Sequence, residues 1–267
     1  MSVAVRGRGS VAGGVWSHRF LAITLVRRQY QLRYRQSMVG FVWAILPSLA
    51  TVLAATLVFH KVARIDTGDV PYPIFTFAAL VPWTFFASSV SQGVPSITSY
   101  QAMVTRLPFP TAVIPFSCIG LALIDLSISA CVYVVFAIIS GFGIPATALW
   151  FPFILAIEIP LVIGVVLLGS ALNVFARDIK LGVPLAIQLW LFLTPVMYPL
   201  SAVPAGLRVL YTLNPMTGVV ISSRNVLLLR QPPAFILLVP AIVGAVVFLV
   251  VGSWYFGATE RRFADVL

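Results

Sequence analysis

The 267-residue chain is 60% hydrophobic and only 9% charged, with a mean hydropathy of +1.05. A water-soluble domain of this length needs far more polar surface to cover its core, so a soluble enzyme or binding module is excluded. The net charge of +10 would suit nucleic acid, but no soluble basic domain is present to carry that role.

Hydrophobic sequence is laid out in six stretches, and these predict an all-α, polytopic membrane protein with six transmembrane helices. Helices are expected because open sheet edges cannot sit in lipid, and no run of short alternating strands suggests a barrel. Residues 1–15 read as a flexible N-terminus without an apolar core long enough for a cleavable signal peptide. Residues 16–38 read as an amphipathic helix at the cytoplasmic interface. Trp16, Phe20, Ile23, Tyr30 and Tyr34 recur at helical spacing, Leu21, Leu25 and Leu32 form a second strip, and Arg28, Arg33 and Arg35 lie elsewhere. The transmembrane domain is expected over 39–260.

Spans are placed near 40–60, 73–94, 112–140, 147–172, 184–199 and 234–257. A helix needs about 20 apolar residues to cross about 30 Å of hydrocarbon. The fifth stretch is short and contains Pro195 and Pro199, which predicts a kink or an irregular end. The connector 96–115 holds a possible short helix ended by Pro108 and Pro110. Residues 200–233 are apolar for a loop and divide at Asn214–Pro215 into runs near 205–213 and 216–229. Two half-helices too short to span predict a re-entrant hairpin on the external side; an amphipathic loop on the bilayer is the alternative. A tail, 261–267, closes the chain.

An even number of spans puts both termini on one side. Twelve of the 17 basic residues then share that side, including Arg6, Arg8, Arg19, Arg27, Arg106, Arg177, Lys180, Arg261 and Arg262. Lys61, Arg64, Arg208, Arg224 and Arg230 fall on the other. The positive-inside rule makes the richer side cytoplasmic, so most of the basic bias expresses topology and attraction to anionic lipid.

The sequence carries no GxxxxGK[ST], no HExxH and no serine–histidine–carboxylate pattern, so a catalytic site and a metal site are not expected. His18 and His60 are isolated. Cys118 and Cys131 lie about 20 Å apart along one helix, too far for a disulfide. Two acids fall inside spans, Asp125 and Glu158. Intramembrane acids are functional candidates, here a proton relay. The simpler reading is a helix-packing hydrogen bond by a protonated carboxyl, with no basic residue at that depth. Aromatic residues at span ends, Tyr72, Tyr198 and Trp254, fit interfacial belts. Trp83, Phe85 and Phe86 do not, and suit either core packing or an aromatic-lined glycan path.

The ordered segments VRRQYQLRYRQSMVGFVWAILPS, LVPWTFFASSV, RLPFPTAVIP, NVFARDIK, QLWLFLTPVMYPLSAVP and YTLNPMTGVVISSRNVLL together resemble the membrane subunit of ABC-2 type polysaccharide exporters, the permeases for O-antigen and teichoic acid. The resemblance covers residues 16–260. It implies a homodimer bound to two copies of a separate ATPase, which holds the ATP and magnesium, and export of an undecaprenyl-linked glycan across the bacterial plasma membrane. Mapped here, it makes Gln101, Val104, Arg106, Leu107 and Pro108 candidates for coupling to the ATPase. Phe41, Trp43, Trp83, Phe86, Trp190 and Tyr198 become candidates for the substrate path. Pro204, Tyr211, Asn214 and Pro215 become candidates for an external gate. The rival functions are a proton-coupled secondary transporter using Asp125 and Glu158, an ABC-2 exporter of a small hydrophobic drug, and a membrane-embedded glycan-processing enzyme.

Overall fold

The structure is a computed structural model that describes residues 11–34, 42–62, 70–107 and 109–267. Among these residues the secondary structure is entirely helical. Two N-terminal helices, α1 (Val11–Ser17) and α2 (Arg19–Tyr34), precede α3 (Val42–Ala55), which continues as a π-helical turn over Thr56–Val62. Then follow α4 (Tyr72–Gly93), the short α5 (Ser96–Ser99) and α6 (Gln101–Arg106), and α7 (Val113–Ile139). A 3-10 turn, Ala146–Trp150, leads into α8 (Phe151–Phe175), and α9 spans Ile179–Phe192. The chain ends with α10 (Ala205–Leu213), α11 (Pro215–Leu227), α12 (Phe235–Thr259) and α13 (Phe263–Val266).

Four of the described helices are long and apolar enough to cross a membrane: Tyr72–Gly93, Val113–Ile139, Ala146–Phe175 and Phe235–Val266. They coincide with the second, third, fourth and sixth expected spans. Two shorter apolar helices, Ser48–Phe59 and Ile179–Phe192, stand where the first and fifth were expected. The fifth needs correction. It begins at Ile179 rather than 184 and stops at Phe192 rather than 199, about 21 Å of helix at 1.5 Å per residue. Pro195 and Pro199 cannot donate a backbone hydrogen bond and disfavour helix in the residue before them, so 193–199 leaves the α-helical path. Pro184 lies within α9 and is tolerated there.

Local chemistry explains the helix starts. Pro73, Pro152 and Pro215 occupy first-turn positions of α4, α8 and α11, where the missing amide hydrogen costs no intrahelical bond. Asn214 caps α11: its side chain accepts from Met216 N, as N-cap asparagines do. The α7–α8 hairpin turns at Gly141 and Gly143, whose φ angles of 79° and 64° exclude a ready replacement by another residue.

Helix α4 is the most buried of the long helices and packs against α3, α7, α8, α9 and α11. The most extensive contact joins α8 to α12. An ideal Cβ on Gly164 would meet the Phe248 carbonyl carbon at 2.2 Å, and one on Gly252 would meet Gly164 O at 2.3 Å. Small residues that let backbones touch are the means by which helices associate in lipid, where apolar burial gives little drive. Helix α11 is also wedged: Gly218 sits against the Leu237 carbonyl, and Met216, Val219, Val220 and Val226 are wholly buried. By contrast α10 buries no residue.

At the opposite end, α5, α6 and α13 close over the ends of α7 and α8. Ile97, Ile114, Phe256 and Phe263 are wholly buried together there. The segment expected as a tail therefore folds back, Phe263 stacking edge-on upon Phe256 at 5.3 Å. Glu260 accepts hydrogen bonds from Thr111 N at 2.7 Å and its hydroxyl at 2.9 Å, and Gln101 donates to the Leu267 carbonyl.

Gly164→Leu should lower thermal stability in detergent by about 1–3 kcal/mol through overpacking. Gly182→Leu, at a glycine with open space around it, should change it little; equal melting of the two variants would contradict the close α8–α12 contact.

Candidate functional site

Three polar groupings stand out in an otherwise apolar molecule. The first joins the N-terminal helix to the bundle. Helix α2 packs along α7: Val26 faces Gly120, Gln29 Nε2 donates to Ser117 Oγ at 3.0 Å, and Arg33 reaches Asp125. Leu25 is buried and Leu21 half-buried, while Trp16, Phe20 and Ile23 remain exposed; the strips do not separate cleanly, because Leu32 is exposed and Tyr30 half-buried. The helix breaks at His18, between α1 and α2. Arg33 Nη1 lies 2.7 Å from Asp125 Oδ2, with side chains 44% and 16% exposed. Asp125 sits about 18 Å along α7 from Val113, at 1.5 Å per residue. The expectation that no basic residue reaches this depth is overturned; an arginine's long stem lets its head group travel from a neighbouring helix.

This ion pair borders a cavity of about 280 Å³ between α3, α4 and α7. Its wall is rich in hydroxyls: Ser48, Thr51, Thr84, Ser88, Ser91 and Ser129. Thr84, Ser88 and Ser91 recur at helical spacing on α4, a polar stripe visible in the sequence itself. Trp83 also lines the cavity and is otherwise buried.

The second grouping stabilises the break after α9. The Asn214 side chain makes four hydrogen bonds. Its Oδ1 accepts from Trp190 Nε1 and Met216 N, each at 3.0 Å; its Nδ2 donates to Leu193 O at 3.1 Å and Thr194 Oγ1 at 2.9 Å. Arg224 on α11 is 4% exposed. It donates to the carbonyls of Phe75 (3.3 Å), Pro195 (3.1 Å) and Val196 (2.9 Å) and lies 3.6 Å over the Phe75 ring. The Tyr72 hydroxyl donates to Met197 O at 2.5 Å. The Tyr198 hydroxyl donates to Phe192 O, and the Tyr211 hydroxyl lies 3.2 Å from the Tyr198 oxygen and 3.4 Å from the same carbonyl, within donating distance of either. A largely apolar groove of about 530 Å³ lies between α9 and α10, bordered by Trp190, Tyr211, Asn214 and Pro215.

The third is the cap formed by α5, α6 and α13. Asn173, wholly buried, bridges it to the α8–α9 turn by donating to Thr98 Oγ1 and accepting from Lys180 N, each at 3.0 Å.

The sequence-derived candidates distribute over these groupings. Gln101, Arg106 and Leu107 are exposed on the cap, whereas Val104 is buried beneath it. Pro108 and Phe41 lie outside the described residues, and Trp43 falls within α3 with its side chain outside them. Phe86 is wholly buried, edge-on to Trp190 at 5.0 Å. Trp190, Tyr198, Tyr211, Asn214 and Pro215 come together at the break. Pro204 stands just before α10 and is exposed. The reading of the two acids as protonated packing carboxyls is corrected for Asp125, which joins two helices as an ion pair with Arg33. It fails for Glu158, which is wholly buried with neither carboxyl oxygen hydrogen-bonded among the described residues.

The profile of the ABC-2 type transporter family matches residues 21–228. The chain belongs to that family. It is 29% identical over 253 residues to the O-antigen export system permease protein RfbA of Myxococcus xanthus, covering 94% of this chain and 96% of the relative. The RfbA protein of Klebsiella pneumoniae is 27% identical over 251 residues, covering 92% and 95%. The polysialic acid transport protein KpsM of Escherichia coli is 24% identical over 211 residues, covering 75% and 78%.

The α2–α7 pairing is open to direct test. With Cys118 and Cys131 replaced by alanine, cysteines at Val26 and Gly120 should cross-link. Asp125→Arg should reduce the yield severalfold, and adding Arg33→Asp should restore it. Undiminished cross-linking in Asp125→Arg would show that the ion pair does not hold the helix.

Proposed function

We propose that this ABC-2 family permease is the membrane subunit of an ATP-driven polysaccharide exporter. The observation that carries the reading is similarity along nearly the whole length of permeases named for O-antigen export, in a sequence without a phosphate-cradling loop of its own. Such a chain must draw its energy from a partner, and a separate ATPase with bound ATP and magnesium supplies it. Two copies of the chain and two of the ATPase make the transporter, and the substrate is a lipid-linked glycan, the lipid being undecaprenyl.

The cap is the surface that suits the ATPase. It presents Gln101, Arg106 and Leu107 outward on helices whose inner side, Ile97 and Val104, is anchored in the bundle. A push on α6 is therefore transmitted to α7, α8 and the C-terminal segment rather than absorbed in a loop. The break at Asn214–Pro215 suits an external gate, because α10 is exposed and α11 is wedged, so the hinge lies between a free arm and a fixed one. Six spans, counting the shorter α3 and α9, place both termini in the cytoplasm of the bacterial inner membrane.

Two measurements test this reading. Introduced cysteines should be labelled from outside at Ser140 and not at Ser99 or Lys180; external labelling at Lys180 would refute the topology. In cells lacking their own permease, the chain with its ATPase should restore surface glycan, and Arg106→Glu should depress glycan-linked ATP turnover several-fold while the permease still folds. Full assembly and export by Arg106→Glu would remove that residue from the interface.

A further inference from the structure

The hydroxyl-lined cavity beside Arg33 and Asp125 has no assigned role. Its chemistry is out of place for a surface that meets lipid. Thr84 lies about 18 Å along α4 from Tyr72, and Asp125 a similar distance along α7 from Val113, at 1.5 Å per residue. Both are near mid-bilayer if these helices span. An ion pair and a stripe of hydroxyls make the cavity polar enough at that depth to hold water or a polar ligand.

We propose that this cavity is a binding subsite for one neutral sugar ring of the transported glycan. The proposal rests on the export reading and narrows it to named residues. Three observations select a sugar. The first is hydrogen-bond sense. Thr84 Oγ1 donates to Val81 O at 3.0 Å, and Ser88 Oγ donates to Phe85 O at 3.4 Å. Their protons are directed at their own helix, so each oxygen offers lone pairs to the cavity. Asp125 adds a carboxylate acceptor. Acceptors at Thr84, Ser88 and Asp125, set in an otherwise largely apolar wall, suit a ligand that brings donors and apolar C–H faces together, as a sugar ring does. This wall does not suit a phosphate, whose negative charge would meet the Asp125 carboxylate.

The second observation is neutrality. Arg33 is compensated by Asp125 at 2.7 Å, so the described residues that line the cavity carry no excess positive charge to attract an anion. The third is size and lining. The cavity of about 280 Å³ falls at the small end of ligand pockets, which run from about 300 to 1,000 Å³, and admits a single ring rather than a chain. Trp83 lends it an apolar aromatic surface for the C–H faces of the sugar.

The test uses the purified full-length chain in lipid nanodiscs and saturation-transfer NMR with methyl α-mannopyranoside, methyl α-glucopyranoside and methyl α-rhamnopyranoside. At least one should show transfer that saturates with concentration and is displaced by the matching free sugar but not by inorganic phosphate. Ser88→Leu, which fills the cavity, should abolish the transfer. Thr84→Val, which keeps the shape and removes one hydroxyl, should weaken binding by about threefold to tenfold and keeps the test decisive if the larger side chain prevents folding. No transfer in the wild type, equal transfer in the folded variants, or displacement by phosphate would overturn the subsite. The two readings separate cleanly. Surface glycan restored by a wild-type chain that binds none of the three glycosides refutes the subsite and leaves export standing. Saturable, Thr84-dependent sugar binding by a chain that restores no glycan refutes export and leaves the subsite standing.

Discussion

The structure turns on the need to satisfy a stretch of irregular backbone that is enclosed by helices. Where α9 ends, the carbonyls of 193–197 have no intrahelical partners, and hydrocarbon supplies none. Donors arrive from elsewhere in the chain: Asn214 to Leu193 O, Arg224 to Pro195 O and Val196 O, and Tyr72 to Met197 O. An arginine gives up its hydration to reach this place, and the multiple carbonyl bonds and the Phe75 ring offset that loss. The position of α11 follows, because its Arg224 must lie against α4 and the end of α9 together. The break at Asn214 follows in turn, since one side chain both caps α11 and holds Trp190 and Thr194.

These constraints divide the molecule into parts of unequal freedom. Helices α4, α8, α11 and α12 form a block closed by glycines and buried valines. Helices α9 and α10 bury no residue, and the apolar faces they leave open suit a second copy of the chain or lipid. A transporter needs such a division, because alternating access requires one part to move against another. The cap itself belongs to the block, since Phe263, Glu260 and Asn173 tie it down.

Much of this was legible in the sequence wherever the signal is local. Hydropathy located the four long helices, the prolines announced the irregular end of α9, and Asn214–Pro215 marked the junction of two half-helices. What stayed hidden depends on partners distant in sequence. Arg33 and Asp125 are 92 residues apart, and no periodicity in either helix pairs them. Arg224 looked like an external loop charge because its partners are backbone carbonyls, which every residue possesses and which therefore leave no mark in composition. The fold-back of Phe263 rested on a single aromatic in a charged segment, too small a pattern to distinguish from a free tail. The hydroxyl stripe of α4 was the exception: its spacing was available, but serine and threonine in apolar helices are common enough that the stripe gains meaning only beside the ion pair.

The paired glycines of α8 and α12 have a mechanical consequence. Where two backbones touch, no side chain remains between them to change rotamer, so the two helices cannot slide by small repacking steps. They must translate as a single strut, or separate altogether. Any stroke delivered at one end of that strut reaches the other with little loss, much as a rigid rod transmits displacement where a stack of springs would dissipate it.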